Sequence, residues 1–283
     1  MSLFQIPFIR QLQTLGLLLL FTIGFAQSSV ETQSEELMPF SEPEEIKFSS
    51  GKLRLHGFIH KPEGNGLFPA ILLNHGSEHP KSGKLMAKPF VGRGYVVFVP
   101  HRRGQGSSSD QSEYIMDVIR QEPASTRGKK FVELQETHQE DVIAALSYLK
   151  QLPYVDPNRI AMAGCSFGGI QTVLATEKQL GLRGTIVFAP AAMSWAKVPE
   201  LRPRLIQAVQ SATVPILLIQ AKNDYDLSPT KTMAKELERM NKPHKLLIFP
   251  KFGKTQADGH SFCVRGEQIW GDEVFSFLES VMS

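Results

Sequence analysis

Hydrophobic residues in this chain occur either as short continuous runs or at every third to fourth position. The runs at residues 68–73, 95–99, 160–163, 184–188, 214–220 and 245–249 are apolar almost throughout. Runs of that length suit strands covered on both faces, as in a parallel sheet. Helical spacing occupies the intervals, and helices are expected over residues 84–91, 170–175, 202–209, 230–239 and 267–282. Another helix is expected to start at Thr137-His138-Gln139-Glu140, which fits a capping box, and to pack through Val142, Ala145, Leu146 and Leu149. Residues 45–60 differ: Leu53, Leu55 and Gly57 alternate with Arg54, His56 and Phe58, which predicts two half-buried strands around a turn at Ser50-Gly51. From residue 68 onward strand and helix alternate, which predicts right-handed β-α-β units. The fold class is therefore α/β, a mostly parallel central sheet flanked by helices on both faces. Residues 107–135 form the longest irregular stretch, either a short cap over a site or a surface excursion.

The first residues follow a different logic. Arg10 precedes an apolar run over residues 15–25, and Gly24-Phe25-Ala26 then offers small residues before Gln27. A positive charge, a short hydrophobic core and a small-residue cleavage point describe a secretory signal peptide. Residues 1–26 are expected to be that leader, cleaved after Ala26, and residues 27–44 a polar, acidic linker or loose arm. The catalytic domain is expected over residues 45–283, in a secreted or periplasmic protein with no stable membrane insertion once the leader is gone. A net charge of +3 and the lack of a basic stripe interleaved with aromatics argue against nucleic acid as a partner. Only Cys165 and Cys263 are present. If both flank one site they could lie near each other, but free, packed thiols are expected ahead of a bridge, because a bridge needs a narrow geometry.

Candidate chemistry sits where the runs end. The string Gly164-Cys165-Ser166-Phe167-Gly168-Gly169 lies between an apolar strand and a helix, so Ser166 tops a sharp strand-turn-helix with its hydroxyl exposed. Small residues on both sides suit the crowded backbone of such a turn. A serine nucleophile needs a base within hydrogen-bond reach, and the base needs an acid that fixes its tautomer. Candidate acids follow the run at 214–220 in Asn223-Asp224-Tyr225-Asp226-Leu227, and a candidate base follows the run at 245–249 in Asp258-Gly259-His260. Each therefore lies beyond the carboxyl end of its own strand, where sites gather in open parallel sheets.

With these segments in view, the chain resembles the α/β-hydrolase superfamily, and within it the dienelactone-hydrolase-like and prolyl-oligopeptidase-like serine hydrolases. The resemblance covers roughly residues 45–283 and rests on Asn74-His75-Gly76, Arg103-Gly104-Gln105-Gly106-Ser107, the Ser166 turn, Asn223-Asp224-Tyr225-Asp226-Leu227 and Asp258-Gly259-His260. It implies an α/β-hydrolase fold with no large cap domain, and a triad of Ser166, His260 and Asp224. Dienelactone hydrolases use a cysteine where Ser166 stands here, so their particular substrate is not carried over. Asp226 is expected to cap the helix that follows or to face water, and Asp258 to be solvated.

The oxyanion-hole amides are expected from Phe167 and Ser77, and substrate contacts from His75 and Trp195. Met193 is a further candidate for shaping the acyl pocket, and His101, Arg102 and Arg103 either line the pocket or serve the structure. The string His75-Gly76-Ser77-Glu78-His79 also spells H-x-x-E-H, but zinc chemistry needs it on a helix, which Gly76 and Pro80 oppose. No metal and no cofactor is expected. The reading is an exported serine hydrolase that cleaves carboxylic esters of small molecules through an acyl-enzyme. A peptidase or amidase using the same residues, or a non-catalytic ligand-binding protein, are its alternatives. With no lid segment between the runs at 184–188 and 214–220, an open pocket for short substrates is expected. Oligomeric state is not legible.

Overall fold

The computed structural model describes residues 41–78 and 83–283. The expected leader and the arm up to residue 40 lie outside the described residues, and so does His79. Eight strands form one sheet: β1 (Glu44–Ser50), β2 (Leu53–His60), β3 (Phe68–Asn74), β4 (Val96–Pro100), β5 (Val155–Cys165), β6 (Thr185–Phe188), β7 (Ile216–Ala221) and β8 (His244–Phe249). Their spatial order is β1-β2-β4-β3-β5-β6-β7-β8. β1 and β2 form an antiparallel hairpin, β2 runs antiparallel to β4, and every pair from β4 to β8 is parallel. The strand nearest the centre of the parallel part, β5, ends one residue before Ser166.

Period-two alternation assigns each strand residue to a layer. Ile71 and Leu73 of β3, Ala161 and Ala163 of β5, and Leu217 and Ile219 of β7 share a core with α1 (Lys84–Val91), α8 (Phe262–Arg265) and α9 (Glu267–Met282). The intervening residues face the other way. Ala70, Leu72, Ile160 and Met162 meet α3 (Arg127–Leu149), while Ile216 and Leu218 pack with α4 (Phe167–Thr176), α5 (Leu201–Gln210) and α6 (Ser228–Arg239). Burial of both sheet faces explains why the inner strands β3 to β7 carry unbroken apolar runs.

The stretch at 107–135 is not irregular. It holds a 3-10 turn at Gly106–Gln111, then α2 (Ile115–Gln121), and its last part is already α3. Thr137 is therefore an interior residue of α3, where its hydroxyl donates to the Glu133 carbonyl at 3.0 Å rather than capping a helix start. The buried face of α3 carries Gln135, His138, Gln139 and Asp141, so hydrophobic spacing alone underestimates the helix. Asp141 accepts from the Arg103 guanidinium at 2.7 Å and from the Ser50 hydroxyl at 2.7 Å, tying α3 to the β1–β2 turn. Arg103 is thus a structural residue.

Burial holds the His138 imidazole neutral, with its pKa pushed down to about 3, and the nearby Arg102 charge acts in the same direction. The unfolded chain therefore binds a proton that the folded chain refuses between about pH 6.5 and pH 3. Stability is expected to fall with acid across that window by about 1.4 kcal/mol per pH unit for this one group. His138→Gln should flatten the acid limb of a Tm-versus-pH curve, and an unchanged limb would contradict this account.

Candidate active site

Ser166 adopts φ 57° and ψ −114°, a left-handed conformation that a serine adopts only under constraint. The constraint is legible in its neighbours. A Cβ on Gly164 would come within 2.2 Å of the Gly168 carbonyl oxygen, and one on Gly168 within 2.0 Å of the Asn74 carbonyl oxygen. Only glycines let α4 press this closely on β3 and β5, and that pressure forces the turn at Ser166. Its hydroxyl is thereby lifted above the carboxyl edge of the sheet.

His260 ends the short helix α7 (Gln256–His260). That helix starts in a reciprocal capping box: the Asp258 amide donates to the Thr255 hydroxyl oxygen at 3.0 Å, and the Thr255 amide to the Asp258 carboxylate at 3.0 Å. Asp258 is partly exposed, as expected of a solvated turn carboxylate, and it also serves the cap: amides of Thr255 and Lys254 pull its pKa down to about 2. Asn223 bridges the loops after β7 and β8, accepting from the Phe252 amide at 2.8 Å and donating to the Thr255 carbonyl at 2.7 Å. A Cβ on Gly259 would lie 2.7 Å from the Asn223 carbonyl and the Asp224 amide nitrogen. The two loops are in contact there, and the contact brings imidazole and carboxylate together.

The result is a linear chain of hydrogen bonds. His260 Nε2 lies 3.0 Å from Ser166 Oγ, and His260 Nδ1 lies 2.8 Å from Asp224 Oδ1. Asp224 is buried and also accepts from the Tyr225 amide at 2.6 Å and from Gln220 Nε2 at 3.0 Å. A carboxylate held on both oxygens favours the Nδ1–H tautomer, which leaves Nε2 free to accept the serine proton. Asp226 plays a different part, accepting from the Ser228 amide at 2.8 Å at the start of α6. The Tyr225 ring packs edge-on to His260 at 5.4 Å between centroids.

Two concavities meet at Ser166. The larger, about 530 Å³, has apolar walls from Met116, Ile119, Phe131, Phe167 and Val198, with Arg127, Lys197 and Glu200 among its other lining residues. The smaller, about 260 Å³, is lined by Tyr225, Ala257, His260, Ser261 and Val264 among others. Ser77, Ser166 and Met193 line both. The expected open pocket is corrected: α2 and the first turns of α3 wall the larger cavity, although no lid domain is inserted after β6.

Ser77 sits on a loop fastened from beneath. The fully buried Arg102 donates through one Nη to the carbonyls of His75 at 2.9 Å and Gly76 at 2.7 Å, and Gln105 and Tyr114 donate to the Ser77 carbonyl. Arg102 and Gln105 therefore hold the loop and do not line either cavity. Burial pushes the Arg102 pKa down to about 10, partly opposed by Glu78. Phe167 opens α4, so its amide has no acceptor within the helix and lies at the positive end of the helix dipole.

Two expected substrate contacts are corrected. His75 is buried, with Nδ1 2.9 Å from the Gly76 carbonyl oxygen, and lines neither cavity. Burial, and then the charge of Arg102, holds its pKa well below the ordinary histidine value. Trp195 is likewise buried in the core beneath the loop after β6, and Met193 and Ser194 line the larger cavity instead. The H-x-x-E-H string is not helical over its described residues, because β3 ends at Asn74 and coil follows. Among the described residues no group of three or more His, Cys, Asp or Glu could hold a metal ion.

Cys165 and Cys263 are bonded to each other, against the expectation of free thiols, with Cα atoms 6.2 Å apart across 98 residues of sequence. The reason is positional. The carboxyl end of β5 and the segment after His260 converge on one site, which brings the two sulfurs together.

A parallel α/β sheet with a strained serine at the turn after β5 defines the α/β-hydrolase fold. Solved structures agree. The acylaminoacyl peptidase of Pyrococcus horikoshii aligns with a TM-score of 0.65 at 20% identity, over 87% of this chain and 42% of that one. Est1E of Butyrivibrio proteoclasticus, solved with ferulic acid bound, aligns with a TM-score of 0.62 at 17% identity, over 83% of this chain and 98% of its own. At the level of family, residues 55–275 match the dienelactone hydrolases, and the chain belongs to that family. Among curated proteins it is similar to the quorum-quenching protein AidA of Acinetobacter baumannii, 29% identical over 163 residues, 57% of this chain and 48% of that protein. The uncharacterized peptidase YuxL of Bacillus subtilis is 28% identical over 140 residues, 47% of this chain and 19% of its own. The matched segments thus span about half or less of these two relatives. Among the described residues no helix is long and apolar enough to cross a membrane.

Proposed function

We propose that this protein is an exported serine hydrolase that cleaves carboxylic esters through an acyl-enzyme, with Ser166 as nucleophile, His260 as base and Asp224 as the acid that orients it. The observation that carries the proposal is the hydrogen-bond chain from Asp224 through His260 to Ser166 at the junction of two cavities. Ser166 Oγ attacks the ester carbonyl carbon while His260 Nε2 takes the hydroxyl proton. The oxygen of the tetrahedral intermediate gains negative charge, which the amides of Phe167 and Ser77 receive. Losing one such donor typically costs about 3 kcal/mol in the transition state. His260 then gives its proton to the leaving alkoxide, the C–O bond breaks, and the acyl group stays on Ser166. A water molecule deprotonated by His260 releases the acid. Export is supported by the Cys165–Cys263 bond, since disulfides persist in oxidising compartments.

The geometry of this reaction also orders the substrate. The leaving oxygen must touch His260 to be protonated, so the alcohol part occupies the smaller cleft that His260 lines. The acyl part then extends past Phe167 into the larger apolar cavity. Substrates are esters of bulky apolar acids with small alcohols. In a series of p-nitrophenyl and methyl esters, kcat/KM should rise severalfold per acyl methylene from acetyl upward until the cavity is filled. Matched anilides, whose nitrogen leaves poorly, should be slower by orders of magnitude. Flat acyl dependence would contradict the pocket assignment, and anilides hydrolysed as fast as esters would favour a peptidase or amidase.

A further inference from the structure

The disulfide is placed at the site and nowhere else. Cys165 immediately precedes Ser166, and Cys263 follows His260 by three residues. Both cysteines line the smaller cleft together with Ser166 and His260, and both are nearly buried. The polar links that steady α7 lead elsewhere: the Asn223 bonds and the Gly259 contact join it to the loop after β7, which carries Asp224. They set the distance between imidazole and carboxylate. The distance between imidazole and hydroxyl spans from the loop after β8 to the turn after β5, two strands further across the sheet. The covalent link across that gap is Cys165–Cys263.

We propose that Cys165 and Cys263 are positioning residues whose bond holds His260 in register with Ser166, so that hydrolysis is fast only when the pair is oxidised. This rests on the reading of Ser166 and His260 as nucleophile and base. The bond forms when the two thiols lose two protons and two electrons to a thiol-oxidant disulfide, protein or small molecule, which leaves as a dithiol. A dithiol reductant reverses it: one thiolate attacks a Sγ to give a mixed disulfide, and the second thiolate closes the reductant's own ring and frees both cysteines. In a reducing compartment the chain would carry the same residues in a slacker arrangement, and export would complete the site.

The test compares oxidised wild type, dithiothreitol-reduced wild type with two titratable thiols, and Cys263→Ala. The readouts are steady-state ester kinetics, the rate of fluorophosphonate labelling at Ser166, and far-UV circular dichroism at 25 °C. Reduction and Cys263→Ala should each lower kcat about 10-fold or more, with KM within about twofold, because small displacements of a catalytic group act on the transition state. Labelling should slow in parallel, the dichroism should hold, and reoxidation should restore wild type but leave the variant slow. Folded samples with kcat and labelling within twofold of oxidised wild type would overturn the proposal. So would loss of the folded signal in both samples at 25 °C, because the bond would then serve the whole fold rather than the site. Oxidised wild type that neither labels nor turns over any ester would overturn the underlying hydrolase reading, and this inference with it.

Discussion

Ser166→Ala is expected to lower ester turnover by about 10⁴- to 10⁶-fold and to abolish fluorophosphonate labelling, while leaving the fold intact. On the proposed mechanism the magnitude follows from removing the atom that would form the acyl-enzyme, which leaves only what binding and the proposed oxyanion amides contribute. Stability gives a second readout. At φ 57° and ψ −114°, Ser166 stores backbone strain of roughly 1–3 kcal/mol, and alanine inherits that strain. Glycine does not, although it costs about 0.5–1 kcal/mol in chain entropy. Ser166→Gly should therefore be as inactive as Ser166→Ala yet more stable by about 1 kcal/mol, a Tm difference of roughly 2–4 °C for a chain of this size. Differential scanning calorimetry on the pair checks it. A glycine variant no more stable than the alanine variant would mean that the turn is not strained.

The second large effect separates two aspartates two residues apart. Asp224→Asn should lower kcat about 10⁴-fold, because an amide facing His260 Nδ1 favours the wrong tautomer. Asp226→Ala should leave kcat within about threefold. Its cost is the lost acceptor for the Ser228 amide at the start of α6, about 1 kcal/mol of stability, visible as a lower Tm. Equal kinetic losses in the two variants would contradict the assignment of Asp224 to the histidine.

Much of this arrangement is legible in the residues themselves, for physical reasons. Strands buried on both faces must be apolar, so β3 to β7 announce themselves, and the half-exposed edge strand β8 shows only as the short run Leu246 to Phe249. Chemistry at the carboxyl ends of those strands follows from the parallel order, which places Ser166, Asp224 and His260 along one edge. The start of α3 is hidden because its fully buried positions before Thr137 are Phe131 and the polar Gln135, too few apolar positions to show a helical period. His75 and Trp195 lie in the right loops, but their side chains turn into the core, a direction that no local pattern encodes. Gln220 and Tyr114 escape notice because they act on backbone or on another side chain rather than on a substrate, whereas Arg102 is singled out by its place after β4 and proves to hold the Ser77 loop. Gln220 carries one readable sign: it is the polar residue ending an otherwise apolar run. The Cys165–Cys263 pairing depends on which strand ends meet, and becomes visible only once β5 and the loop after β8 are in place.

The most direct measurement of the central claim is intact-protein and peptide mass spectrometry after brief exposure to a fluorophosphonate. Wild type is expected to gain a single phosphonyl group on the peptide containing Ser166, and Ser166→Ala and His260→Ala to gain none on the same timescale. A folded wild-type protein that stays unmodified, or that carries the group on another residue, would contradict it.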